Sequence, residues 1–102
     1  RPSLGITMRN LAAAMSYYYP ALNNIGVDSG VYVESVTEGS PAADGGIKTG
    51  DVITAVDDKE VTDLAYLRYL LYNHSVGDTM KVTVYRDGDY RDLTIHLDQK
   101  AS

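Results

Sequence analysis

The sequence predicts an α+β domain with a small, mostly antiparallel sheet, and three observations support this fold class. Several short segments alternate apolar and polar residues, which is typical of half-buried strands. One long segment carries leucines at helical spacing, and two shorter ones begin with helix-start signals. The last two strand segments flank Asp87-Gly88, a dipeptide typical of tight hairpins. We therefore expect an antiparallel sheet, closed as a sandwich or barrel, with one long and one or two short helices.

Composition limits the possible functions. With 102 residues, the chain is expected to form one domain spanning residues 1–102. A net charge of −5, without a dense Lys/Arg cluster, argues against nucleic acid or an anionic membrane as the partner. The chain has no cysteine, which excludes disulfides and cysteine-based metal sites. Because it begins with Arg1-Pro2 and lacks an initiator methionine, we expect it to be part of a longer protein.

The first element is a strand over residues 4–9, because Leu4, Ile6 and Met8 alternate with smaller or polar residues. A short helix is predicted to follow, with Asn10 as its N-cap and "LAAAM" as its body. Pro20 cannot continue a helix, so a loop is expected after it.

The middle of the chain is predicted to contain a strand over residues 30–36 and then a one-turn helix. Ser40 is placed as its N-cap with Pro41 at its first position, and glycines end it. The surrounding stretch "GSPAADGGIKTGD" looks like a phosphate-binding loop, which needs Gly-Lys-Ser/Thr in sequence. Ile47 separates Gly46 from Lys48, so the spacing fails and we interpret the stretch as a structural turn.

The second half is predicted to contain a strand over "DVITAV", an acidic turn, the main helix and the final hairpin. Thr62 or Asp63 is expected to cap the main helix. Leu64, Leu67 and Leu71 fall at i, i+3 and i+7, which gives one apolar face.

Residues suited to catalysis or metal binding are few. His74 follows the main helix and is expected to interact with its C-terminal dipole, and His96 is expected on an exposed sheet face. The serines lack the G-x-S-x-G pattern of serine hydrolases. Asp57 and Asp58 are followed by Lys59, which favours an acidic turn over a calcium loop. We predict no catalytic residue, no metal and no cofactor in this chain.

One segment favours ligand binding. Gly5 lies between Leu4 and Ile6, where a residue without a side chain lets a ligand approach backbone N–H groups. A peptide carboxylate is the anion expected there, with the peptide adding as a strand along Ile6, Thr7 and Met8. The alternative is that Gly5 only marks a bend at the domain entrance.

Three segments together resemble a PDZ domain of the bacterial HtrA (DegP-like) serine proteases. They are "RPSLGI", "SGVYVESVTEGSPAADGGIKTGDVITAVDDKEV" and "LYNHSVGDTMKVTVYRDG", and they cover most of the chain. The most diagnostic block, S-P-A-x-x-x-G-[IL]-x-x-G-D-x-I, is matched at Ser40, Pro41, Ala42, Gly46, Ile47, Gly50, Asp51 and Ile53. The resemblance implies a PDZ-like fold in which residues 10–29 form a variable helix-and-loop insertion.

The resemblance also implies a groove between the first strand and the long helix, where an apolar C-terminal side chain is held. The expected peptide-binding residues are Ser3, Leu4, Gly5, Ile6, Thr7, Met8, Leu67, Leu70 and Leu71. Domains of this family that prefer Ser or Thr two residues before the ligand terminus often carry His at the start of the helix. Here Thr62 and Asp63 occupy that region, so no such preference is predicted.

Tyrosine is the only aromatic residue type, and its distribution departs from the family pattern. We single out Tyr17, Tyr18 and Tyr19 after the first strand and Tyr66, Tyr69 and Tyr72 on the long helix. They are interpreted either as core aromatics that replace phenylalanine, or as an exposed interface, since tyrosine is favoured at binding hot spots.

These observations predict a non-catalytic module that captures C-terminal or unfolded-protein tails and regulates or feeds an attached serine protease domain. Family resemblance implies an extracytoplasmic location, at the cell surface or in the periplasm. One alternative is a natural or engineered interaction scaffold whose tyrosine surface binds a protein or a second copy. Another alternative, an enzyme in its own right, has little support from the residues present.

Overall fold

A computed structural model describes residues 2–98 as a six-stranded sheet with helical segments packed against it. The strands lie in the order β1-β2-β3-β5-β6, β4 pairs with β3, and every pairing is antiparallel. The strands are β1 Ile6–Asn10, β2 Val31–Val36, β3 Val52–Val56, β4 Lys59–Glu60, β5 Thr79–Arg86 and β6 Asp89–His96. The antiparallel α+β prediction is confirmed, with β4 as an unpredicted addition.

Strand β1 begins later than the predicted residue 4. The carbonyl groups of Leu4 and Gly5 accept hydrogen bonds from Ala42 N (3.0 Å) and Thr37 N (2.8 Å), outside the sheet ladder. Sheet pairing therefore starts at Ile6, opposite Val36. The two residues before it form a loop anchored to the far end of β2 and to the short helix beyond.

The segment after β1 differs from the predicted ordinary helix. Helix α1 covers Leu11–Ala13 and continues at once as a π-helical turn, Ala14–Tyr18, followed by a 3-10 turn, Pro20–Asn24. Asn10 occupies the N-cap position of α1, but its side chain makes no capping bond there. Instead, its Oδ1 accepts a 2.6 Å hydrogen bond from Leu64 N, at the start of the long helix.

The middle block agrees with its sequence pattern. Helix α2 spans Pro41–Asp44, and Ser40 Oγ caps it by accepting a 3.1 Å hydrogen bond from Ala43 N. Asp51 lies in the interior, only 1% exposed, where Arg86 Nε and Nη2 donate to its two carboxylate oxygens at 2.8 and 2.7 Å. Arg86 Nη2 also reaches Gly46 O at 2.7 Å. These bonds fix the turns around α2 against the β5–β6 hairpin.

Both predicted acidic turns close hairpins. Asp57 and Asp58 have φ angles of 49° and 67° between β3 and β4, and Asp87 has a φ of 51° between β5 and β6. Positive φ at the central residues matches the right-handed twist of the strands, and aspartate tolerates it better than most residues. The turn interpretation of Asp57 and Asp58 is confirmed, and no group of candidate metal ligands occurs within residues 2–98.

Helix α3, Leu64–Tyr72, is the long helix and begins where Asp63 Oδ1 accepts from Tyr66 N at 2.8 Å. Its predicted apolar face packs on the sheet, with Leu67 and Leu71 buried and Leu64 partly buried. Across residues 2–98, helices are too short or too polar to cross a membrane.

Candidate functional site

A groove of about 310 Å³ lies between β1 and α3. Its β1 side is formed by the chain entering the sheet and its other side by the later residues of the helix. The lining residues are Pro2, Ser3, Leu4, Gly5, Ile6, Met8, Arg68, Leu71 and Tyr72. Apolar side chains such as Ile6, Met8 and Leu71 therefore share the groove with polar groups and with one cationic side chain, Arg68.

The loop at one end of this groove is held in a conformation that favours glycine. Gly5 has a φ of 77°, and a Cβ atom at this position would overlap the Cβ of Ser40. The Leu4 and Gly5 carbonyls are used by hydrogen bonds to Ala42 and Thr37. The backbone N–H groups of Leu4 and Gly5 have no hydrogen-bond acceptor within residues 2–98. At Leu4 and Gly5 the loop thus offers two backbone N–H donors, while the carbonyls of the same residues are already bonded.

The outer edge of β1 is open. Within the described chain, β1 pairs with β2 on one side and forms no strand pairing on the other, which faces α3. Unpaired backbone groups on an edge strand can accept an additional strand through main-chain hydrogen bonds. The site therefore combines an open strand edge, a groove with apolar side chains and free N–H donors at one end.

Strand β1 and helix α3 run in opposite directions along the groove. The hydrogen bond between Asn10 Oδ1 and Leu64 N joins the end of the strand to the start of the helix. With a rise of about 1.5 Å per helix residue and about 3.3 Å per strand residue, Arg68 lies near the level of Met8. By the same measure Leu71 and Tyr72 lie near the level of Ile6. The donor loop is thus at the Leu71 end of the groove.

The structure brings most of the predicted groove residues together, but the helix side differs. Ser3, Leu4, Gly5, Ile6, Met8 and Leu71 all line the groove, whereas Thr7 is exposed on the other side of the strand. Leu67 is completely buried in the core, and Leu70 borders another pocket. Arg68 and Tyr72 line the groove where Leu67 and Leu70 were predicted. The Asn10–Leu64 contact at the start of the helix joins residues 54 apart, so no local sequence signal could predict it.

The other two helix tyrosines form a separate surface. Tyr66 and Tyr69 stack with ring centroids 6.0 Å apart, beside a pocket of about 350 Å³ that also includes His74 and Asp57. His74 Nδ1 lies 2.8 Å from Leu70 O, and its Nε2 lies 2.9 Å from Asp57 Oδ2. Burial raises the pKa of Asp57, but the Lys81 N–H and the His74 ring outweigh it, so that pKa lies below its ordinary value.

The tyrosines after β1 cover the outer face of β1 and β2. The Arg9 guanidinium lies 3.9 Å from the centre of the Tyr18 ring and donates to Glu34 at 2.9 Å. Tyr19 Oη donates to the same carboxylate at 2.9 Å. Hydrogen bonds from Arg9 and then Tyr19 lower the pKa of Glu34, and the Glu34 bond raises the pKa of Tyr19. Tyr17 beside them is 81% exposed.

None of the six tyrosines singled out in the sequence is a core residue. Their exposed fractions range from 37% at Tyr66 to 81% at Tyr17. The interpretation that they replace core phenylalanines is therefore wrong. They divide into one residue at the groove, Tyr72, a stacked pair on the far side of α3, and a cluster above β1 and β2.

The strand order, the open β1 edge and the groove beside α3 define a PDZ domain. The sequence profile of the PDZ domain family matches residues 2–97, which is nearly the whole chain. The chain therefore belongs to the PDZ domain family, and the family predicted from its sequence motifs is confirmed.

Among curated proteins, the chain is similar to bacterial HtrA serine proteases. It is 43% identical over 103 residues to the serine protease Do-like HtrA of Lactococcus lactis strain IL1403, covering 100% of this chain and 25% of that protein. It is 41% identical over 99 residues to the corresponding Lactobacillus helveticus protein, covering 96% of this chain and 24% of that protein. The chain thus spans about a quarter of the length of these relatives.

Solved structures of the same kind share the fold. The PDZ domain of HtrA3, bound to a phage-derived ligand FGRWV, superimposes with a TM-score of 0.79 at 29% identity, covering 94% of this chain and 84% of that one. The HtrA-type protease AlgW with a decapeptide gives a TM-score of 0.83 at 26% identity, covering 100% of this chain and 30% of that one.

Proposed function

We propose that this PDZ domain captures the C-terminal end of a peptide or unfolded protein by adding it as a strand to β1. The observation that carries the proposal is the pair of unused N–H groups at Leu4 and Gly5, at one end of a groove that is partly lined by apolar side chains. A terminal carboxylate accepts two or more hydrogen bonds and suits such a cluster of donors. The peptide ligands of the HtrA3 and AlgW structures support the same assignment.

In this proposal each predicted residue has a distinct task. Leu4 and Gly5 bind the carboxylate through backbone N–H groups, and Ser3 flanks the path of the peptide. Thr7, whose side chain lies on the other side of β1, contributes only its backbone to the strand edge. Ile6 and Met8 contribute the strand edge and apolar contacts. Leu71 lines the pocket for the last side chain of the peptide. Leu67 and Leu70 do not line the groove, and they hold α3 in place by packing in the interior.

The relatives also suggest a biological role, which we propose here. We infer that the domain is part of a longer serine protease and is separate from its catalytic domain. In this role it delivers substrates or signals to the catalytic domain. Its partners are then exposed tails with an apolar last residue, and its location is extracytoplasmic. The similarity of the whole chain to a quarter of bacterial HtrA proteases supports this proposal.

The test is titration of the domain with the pentapeptide FGRWV and with its C-terminal amide. The amide removes the carboxylate charge and leaves every side chain unchanged, so we expect its affinity to fall at least about tenfold, as for loss of a charge-assisted hydrogen bond. Equal affinities of the acid and the amide would contradict the carboxylate assignment. Backbone amide shifts at Leu4 and Gly5 locate the bound terminus.

A second candidate function rests on the stacked and exposed Tyr66 and Tyr69. In this alternative the surface beside them binds a protein or a second copy of the chain. Sedimentation over a range of concentrations, with the Tyr66→Ser/Tyr69→Ser variant as the comparison, tests self-association. A monomer at all concentrations, unchanged by the substitutions, would leave self-association through this surface without support.

A further inference from the structure

One cation at the edge of the groove has no partner in the described chain. Arg68 lines the groove, and its guanidinium makes no hydrogen bond or ion pair with any residue within 2–98. The other arginines with described bonds, Arg9 and Arg86, are each held by a carboxylate. None of the residues that line the groove is acidic.

The level of Arg68 along the groove determines which ligand residue it meets. A peptide whose carboxylate is bound by Leu4 and Gly5 runs antiparallel to β1, with its last residue near Ile6. Alternate side chains of a strand point to the same side, so the last residue and the third residue from the end both face α3. The third residue from the end is then near Met8, which is the level of Arg68.

We propose that Arg68 selects peptides with an acidic side chain at the third position from the C-terminus. This inference rests on the proposed capture of a C-terminal peptide. Burial of the guanidinium beneath a bound peptide favours an ion pair there, because a covered charge needs a partner. A glutamate reaches a guanidinium in a two-pronged geometry, and a lysine or arginine at this position is repelled.

The net charge of the domain alone would favour a basic ligand side chain, not an acidic one. With a net charge of −5, the whole domain attracts a cationic peptide more than an anionic one. A preference for an acidic residue at one position can therefore be assigned to a local cation and not to the overall field. Because the two effects have opposite signs, the measured order of affinities distinguishes Arg68 from the net charge.

The experiment uses three peptides that differ only at the third position from the end: FGEWV, FGQWV and FGRWV. We expect FGEWV to bind about three- to fivefold more tightly than FGQWV at low salt, with FGRWV weakest, since a partly exposed ion pair contributes this much. Raising the salt concentration should reduce the difference. Equal affinities for FGEWV and FGQWV would overturn the inference and leave the groove assignment intact.

Variants separate Arg68 from other cations. Arg68→Gln should abolish the difference between FGEWV and FGQWV, and Arg68→Glu should reverse the order so that FGRWV binds best. The control, Arg91→Gln, changes the net charge equally on the exposed side of β6. If Arg91→Gln removes the preference as well as Arg68→Gln does, a general field causes it and the inference fails. If no peptide binds wild-type protein, the proposed function itself fails.

Discussion

The block of residues 39–53 and the loop of residues 3–6 are both glycine-containing turns, but they use their polar groups differently. In the block, the Ser40 hydroxyl and the Asp51 carboxylate are each bonded within the domain. In the loop, the carbonyls of Leu4 and Gly5 are bonded, whereas their N–H groups have no acceptor in the described chain. A segment whose polar groups are all hydrogen-bonded within the domain stabilises the fold. A segment with unpaired N–H donors is suited to bind a ligand.

The two regions are also in direct contact. Gly5 packs against Ser40 so closely that no side chain fits between them, and the Leu4 carbonyl accepts from Ala42 N. The block of residues 39–53 therefore supports the loop of residues 3–6 through direct contacts. This arrangement predicts that damage to the block lowers stability, while damage to the contact between them also lowers peptide affinity.

The largest effect is expected from Asp51→Ala. This change leaves Arg86 as a largely buried cation without its carboxylate and removes the acceptor of the Lys48 N–H. Loss of one partner of a buried ion pair lowers the free energy of unfolding by about 3 kcal/mol or more. Urea unfolding measures it, and Asp92→Ala on exposed β6, which loses one bond to Thr83, should cost less than about 1 kcal/mol. Similar losses for both variants would contradict the role of Asp51.

A smaller loss of stability, with a loss of binding, is expected from Gly5→Ala. The new methyl group must displace Ser40, and we expect the free energy of unfolding to fall by about 2 kcal/mol. Peptide affinity of the folded fraction should fall about tenfold, because the donor loop moves. Gly39→Ala is a matched control: Gly39 has the same φ of 77° but no atom within 4 Å of an added Cβ. It should show only the backbone cost of about 1 kcal/mol and normal affinity.

The smallest effect is expected from Asn10→Ala. It removes the 2.6 Å hydrogen bond that joins β1 to the start of α3 and should lower the free energy of unfolding by about 1 kcal/mol. Because the same bond joins the two sides of the groove at one end, we expect peptide affinity to fall about twofold to fivefold. Asn23→Ala removes two bonds that Asn23 Nδ2 donates, to Pro20 O in its own 3-10 turn and to Met15 O in the preceding π-helical turn, and serves as the control. Equal affinities of these two variants would show that the groove does not depend on the Asn10 bond.

Local patterns were enough for most of the fold. The capped one-turn helix at Ser40, the acidic turn at Asp57 and the hairpin around Asp87 were all predicted, because a few neighbouring residues determine each of them. The irregular turn at Ala14–Tyr18 was not predicted, since its composition resembles that of an ordinary helix. Strand β4 was missed because it has only two residues, too few for a periodic pattern.

The strand side of the candidate site was easier to predict than the helix side. Successive residues of β1 alternate, so Ile6 and Met8 could be placed on one side from the sequence alone. On α3 several leucines are apolar and adjacent, and only packing decides which of them face the groove. Leu67 is buried in the core, and Leu70 borders the pocket beside Tyr66 and Tyr69. Arg68 lines the groove, although a pattern of apolar residues on the helix could not identify it.

The contact between Asn10 and Leu64 bears on the order in which the domain folds. It closes a loop of 54 positions, and the entropy of closing such a loop must be overcome before the two walls meet. Hairpins such as β5–β6 need much shorter closures and can form earlier. We therefore expect the groove to be among the last features to assemble, and a newly made chain to bind peptide only after nearly all of it has folded.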